Sequence, residues 1–154
     1  MFNLAAVRYT LRDRSLDIYI SGCLGDNGVH CKNCHNPQIW DPEFGRAWDT
    51  YKDNITDSIS KAGDLVQSIR IYGGEPLEKN ETDLLAFLGF IQGFNLPIWL
   101  FTRYAINSVS KQILERLDYI KCGAYDETQK GEVTYYGVTL HTKNQIIYKR
   151  GKDY

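Results

Sequence analysis

Three of the four cysteines, Cys23, Cys31 and Cys34, fall within a twelve-residue stretch. Thiolates are soft ligands that select iron-sulfur clusters or zinc, so the grouping points to a metal centre. The number of grouped thiols carries information. A structural zinc site closes its tetrahedron with four protein ligands, and an electron-carrying four-iron cluster also uses four cysteines. A four-iron cluster held by three cysteines leaves one iron open for a small molecule, which is what a catalytic centre needs. The alternative is zinc, with His30, His35 or the distant Cys122 as fourth ligand. A disulfide framework fits less well, because 154 residues are enough to bury a core and the N-terminus shows no export signal.

Such a site needs elements to position it. Leu16 to Ile20 (LDIYI) is an apolar, β-branched and aromatic run that stops at Ser21-Gly22, the pattern of a buried strand ending in a loop. Cys23 follows directly. From Cys23 to Phe44 the chain is rich in Gly, Asn, Asp and Pro and reads as a loop. Ile55, Ile59 and Ala62 share helical spacing, predicting a helix over 51 to 62 that stops at Gly63. Ser68 to Tyr72 alternates as a strand does and ends at Gly73-Gly74-Glu75-Pro76. Leu84, Leu85, Leu88 and Ile91 mark a second helix, Ile98 to Phe101 a strand, Val109 to Leu117 a third helix, and Tyr119 to Cys122 a fourth strand. This alternation predicts an α/β fold of βαβ units with a mostly parallel sheet. A complete eight-fold barrel takes about 250 residues, so the expectation is a partial, open (β/α) barrel in a single domain, residues 1 to 154. Ligands bind at the carboxyl ends of parallel strands, so the cysteine loop, Gly73 to Pro76 and Thr102-Arg103-Tyr104 should line one mouth. Two β-prone runs between Val133 and Lys149 have no assigned place in this sheet.

Composition removes several classes. Lys plus Arg (18) nearly balance Asp plus Glu (19), so nothing favours nucleic acid or an anionic membrane as partner. The longest apolar runs fall far short of the roughly 20 residues of a membrane helix, and a cytoplasmic protein is expected.

The segments Ser21-Gly22-Cys23, Cys31-Lys32-Asn33-Cys34-His35-Asn36-Pro37 and Trp40-Asp41 resemble the cluster loop of the radical S-adenosylmethionine enzymes. Tyr72-Gly73-Gly74-Glu75-Pro76-Leu77 matches that superfamily's Gly-Gly-Glu-Pro motif. Trp99 to Tyr104, Lys121 to Tyr125 and Thr142 to Gln145 are similar in kind and order to the small activating enzymes of anaerobic (class III) ribonucleoside-triphosphate reductases. Two departures stand out. Seven residues, Leu24 to His30, separate the first two cysteines where the family usually has three, and Arg12-Asp13-Arg14-Ser15 replaces the glycine-rich lead-in of many members. The insertion can loop out at little cost.

The resemblance implies that Cys23, Cys31 and Cys34 hold a 4Fe-4S cluster whose open iron takes the methionine end of S-adenosyl-L-methionine. It implies that Gly73, Gly74, Glu75 and Pro76 approach that cofactor, with Asn33, Asn36 and Thr102 as further cofactor contacts. It implies a reductive cleavage that puts a glycyl radical on the reductase subunit, with a small reducing protein as electron donor. Activation of another glycyl-radical enzyme, and a non-catalytic zinc or iron-sulfur module, are the alternatives. Cys122 is expected to pack as a small hydrophobe.

Overall fold

The computed structural model describes residues 1–154. Its main sheet has seven strands, β1 (Asn3–Thr10), β2 (Ser15–Ile20), β3 (Arg46–Ala47), β4 (Ser68–Gly73), β5 (Ile98–Phe101), β6 (Tyr119–Cys122) and β9 (Ile146–Lys149), in the order β3-β1-β2-β4-β5-β6-β9. β2, β4, β5 and β6 pair in parallel. β1 and β9 flank them as antiparallel strands, and β3 adds two residues to the β1 edge. The sheet is therefore mixed, with its parallel ladders confined to the four central strands. β1 escaped sequence reading because Ala5 and Ala6 blur its alternation. It forms because it closes a hairpin onto β2 across Leu11 to Arg14, Arg14 turning the chain at φ 48°.

Between the parallel strands run α1 (Lys52–Ala62), α2 (Glu81–Gln92) and the short α3 (Lys111–Leu114). Asn80 caps α2 by accepting from the Asp83 amide, and Ser110 caps α3 by accepting from that of Ile113. The third helix is shorter than its periodicity predicts. After Leu114 the chain tightens into three-residue turns, Arg116 N–H to Ile113 and Leu117 N–H to Leu114, which tuck Leu117 into the core.

All three helices lie on one face. Ile55, Leu84, Phe87, Leu88, Ile91 and Ile113 join Leu16, Ile18, Ile20, Ile69, Ile71, Ile98, Leu100 and Ile120 in a single apolar cluster. Period-two alternation then sends Asp17, Tyr19, Arg70, Tyr72, Trp99, Phe101, Tyr119 and Lys121 to the opposite face. Part of that face is covered by a hairpin of β7 (Lys130–Tyr135) and β8 (Val138–Thr142), which packs Leu140 against Trp99 and Ile147. The run VTYYGVTL thus breaks into two strands at Tyr136-Gly137, both at positive φ, while NQIIYK supplies β9. No helix is long and apolar enough to cross a membrane.

Candidate iron-sulfur site

At the carboxyl ends of the parallel strands a cavity of about 220 Å³ is walled by Cys23, Cys31 and Cys34 together with Gly73, Gly74, Glu75 and Thr102. β2 delivers the first cysteine, β4 the glycine turn and β5 the threonine. Cys23 is fastened through its surroundings. Its N–H donates to Trp40 O, the Gly22 N–H donates to Ile39 O, and the Gly22 carbonyl accepts from Glu75 N–H at 2.8 Å and Lys79 Nζ at 3.2 Å. Cys31 and Cys34 sit at the ends of one turn, closed by Cys34 N–H donating to Cys31 O at 3.2 Å. Asn33, at φ 58°, occupies the left-handed position of that turn, which asparagine tolerates better than most residues.

The insertion Leu24 to His30 folds on itself. Asp26 and Val29 exchange both backbone hydrogen bonds around Asn27-Gly28, at φ 50° and 81°, the two-residue hairpin turn this dipeptide favours. His30 then returns the chain to the site, its ring stacked on Trp40 with centroids 3.8 Å apart and Nε2 2.7 Å from Cys23 O. Seven residues are thereby spanned without pulling Cys31 away from the cavity.

Glu75 is buried, 1% exposed, and its carboxylate accepts from Thr102 Oγ1 at 2.6 Å, Leu77 N–H at 3.0 Å and Arg103 N–H at 2.9 Å. Burial outweighs these hydrogen bonds and raises its pKa. The residue ties the β4 turn to the end of β5. Thr102 Oγ1 is committed to Glu75 and accepts from Tyr104 N–H, so its wall position rests on this brace. Pro76 is buried at the start of a 3-10 turn. Gly74 has a further reason to be glycine. A Cβ there would lie 2.6 Å from the Gly22 carbonyl carbon and 3.1 Å from its nitrogen, so the close approach it permits is to the chain itself, next to Cys23. At Gly73, φ 116° and the Ile20 backbone exclude a side chain in the same way.

Asn33 and Asn36 stand apart from this cavity. Both line a depression on the outer side of the cysteine turn, with Cys31, Cys34, His35, Tyr125 and His141. The wall also holds residues that the matched segments contain but that were not expected as cofactor contacts: Tyr72 and Phe101, stacked at 4.2 Å, and Lys121, Tyr125 and Gln145. Lys121 had a legible signal, a lysine inside an otherwise apolar strand. It donates to Gly123 O at 2.7 Å and Thr102 O at 3.3 Å, and burial lowers its pKa.

The residues present fit an iron-sulfur cluster. Three thiols share one wall, while Lys121 and Arg103 supply positive charge suited to an anionic thiolate-bound group. No three His, Cys, Asp or Glu side chains converge at metal-ligating distance, and burial raises the Cys23 pKa. Binding would therefore draw the thiols together and release protons, as metal sites commonly do. Of the three candidate fourth ligands for zinc, only His35 stands free beside the cysteine turn, in the depression lined by Cys31 and Cys34. Cys122 is 4% exposed in the apolar core on the other face of the sheet, and His30 is engaged with Trp40 and Cys23 O. Trp48 is core, its Nε1 donating to Asp83, whereas Trp40 belongs to the cavity wall.

This fold and thiol set describe an iron-sulfur protein. Residues 13–147 match the family model for the 4Fe-4S single cluster domain, and the chain belongs to that family. Comparison with curated proteins returns no match.

Proposed function

We propose that this protein is a radical S-adenosylmethionine activase that generates a glycyl radical on anaerobic ribonucleoside-triphosphate reductase. We take its sheet as the open, partial barrel of that superfamily. The observation that carries the reading is the shared wall: the three cysteines and Gly73-Gly74-Glu75 face one cavity at the parallel strand ends. Cys23, Cys31 and Cys34 would hold the cluster, which when bound supplies the electron that cleaves S-adenosylmethionine to methionine and a 5'-deoxyadenosyl radical able to take a hydrogen atom from a glycine Cα.

The chain's own residues hold and shield. Glu75 and Thr102 lock the glycine turn against β5, so the wall facing the cofactor does not need to reorganise during reaction. Lys121 and Arg103 offer positive charge to the cofactor's carboxylate. Tyr72 and Phe101 supply an apolar floor that limits water. The mouth is open, which suits a protein substrate that covers it and inserts the reacting loop.

The test is anaerobic. Reconstituted protein, S-adenosylmethionine and a reductant are mixed with the reductase of the same organism, and electron paramagnetic resonance should reveal a doublet on the reductase that is lost in Cys34→Ala. A doublet on a different glycyl-radical enzyme, with the reductase silent, would overturn the choice of substrate. Stoichiometric zinc without a brown chromophore would overturn the enzymatic reading.

A further inference from the structure

We propose that Glu78 is a positioning residue that fastens Cys23 and Arg103 to the glycine turn and sets the charge beside the first cluster ligand. The inference rests on the cluster reading above. Glu78 ends the 3-10 turn Pro76–Glu78 and lies outside the Gly-Gly-Glu-Pro motif. Its side chain is only 7% exposed, an unusual place for a carboxylate unless it is fully paired.

The pairing is complete and bridges three loops. One oxygen, Oε2, accepts from the Leu24 N–H at 2.8 Å, the amide that follows Cys23. The other, Oε1, accepts from Arg103 Nη2 at 2.7 Å, and that guanidinium nitrogen also donates to Tyr104 Oη at 3.0 Å. Glu75 takes the Arg103 backbone N–H, so the two acids hold this arginine at both ends. Lys79 grips Gly22 O on the other side of Cys23. Successive residues of one turn thus hold the peptide groups before and after the cysteine.

The arrangement separates two roles. The hydrogen bond to Leu24 fixes where Cys23 stands, because charge-assisted bonds to backbone N–H are among the stronger ones available. The ion pair with Arg103 balances charge, since an unpaired guanidinium beside the thiols would favour the more reduced, more negative cluster. Cys31 and Cys34 lack an equivalent buried anchor. The one ion pair on their turn, Lys32 to Glu127 at 3.0 Å, is exposed.

Two variants and two readouts test this. In cluster-free protein, Glu78→Ala should speed hydrogen exchange at the Leu24 amide about tenfold, the factor expected for losing a charge-assisted hydrogen bond. Glu78→Gln keeps a neutral oxygen for Leu24 and should speed that exchange less than Glu78→Ala does. In cluster-loaded protein, Glu78→Gln should raise the midpoint potential in a redox titration followed by electron paramagnetic resonance. Unchanged Leu24 exchange in Glu78→Ala overturns the positioning role, and an unchanged potential in Glu78→Gln overturns the charge role. A wild-type protein that binds no iron would sink the proposed function while the exchange experiment still decides for or against Glu78.

Discussion

Replacing Gly74 by alanine is the sharpest probe of how the site is built. The added Cβ would stand 2.6 Å from the Gly22 carbonyl carbon, where a relaxed carbon contact needs about 3.5 Å or more. The neighbour is backbone, pinned by the Gly22 N–H to Ile39 O and the Glu75 N–H to Gly22 O bonds, so it cannot rotate away like a side chain. Overpacking of this kind costs about 1–3 kcal/mol. At this chain length each kcal/mol lowers Tm by about 2–4 °C. Gly89→Ala, inside α2 with only the flexible Arg116 guanidinium at 3.5 Å, is the control and should gain about 0.5–1 kcal/mol. Thermal unfolding of cluster-free protein followed by circular dichroism, with iron analysis after anaerobic reconstitution, reads both consequences. Gly74→Ala should melt lower and load less iron, because displacing Gly22 displaces Cys23. A variant that melts like wild type and loads its full iron, yet no longer binds S-adenosylmethionine, would refute this reasoning and return Gly74 to a purely cofactor-facing role.

Alanine at Cys23, Cys31 or Cys34 should abolish iron and sulfide binding, whereas Cys122→Ala should keep the cluster and lose about 1 kcal/mol from the core, measured by iron analysis and urea unfolding. His30→Ala should retain full iron content, since His30 holds Trp40 and Cys23 O and is not assigned as a ligand; loss of one metal equivalent in that variant would restore a histidine-ligated site. Glu75→Gln sets an amide NH₂ against a neighbouring donor and should cost about 1–3 kcal/mol. Because burial raises the Glu75 pKa, the folded state binds this proton more tightly than the unfolded state. Wild type's advantage over Glu75→Gln should therefore be greatest below the ordinary carboxylate pKa and shrink as pH rises through the raised one, as read by unfolding curves at several pH values.

The grouping of three thiols on one wall was legible in sequence because thiols are chemically singular and their spacing is local. The four central strands were legible too, since Leu16 to Ile20, Ser68 to Tyr72, Ile98 to Phe101 and Tyr119 to Cys122 carry dense apolar alternation bounded by turn residues. The Asn27-Gly28 turn lay open to reading as well, for its composition dictates positive φ. What tertiary structure alone decided is which side chains meet. Glu78 and Leu24 are 54 residues apart, and no periodicity links an acid in one loop to an amide in another. Gly74 shows the same division: its freedom from a side chain was visible, but its close approach to the Gly22 backbone depended on how closely β4 runs beside β2. β1 and the β7-β8 hairpin owe their places to long-range partners, a hairpin mate for the first and the Trp99 face for the second. Local pattern fixes what a segment can become, and the burial of distant surfaces chooses its neighbour.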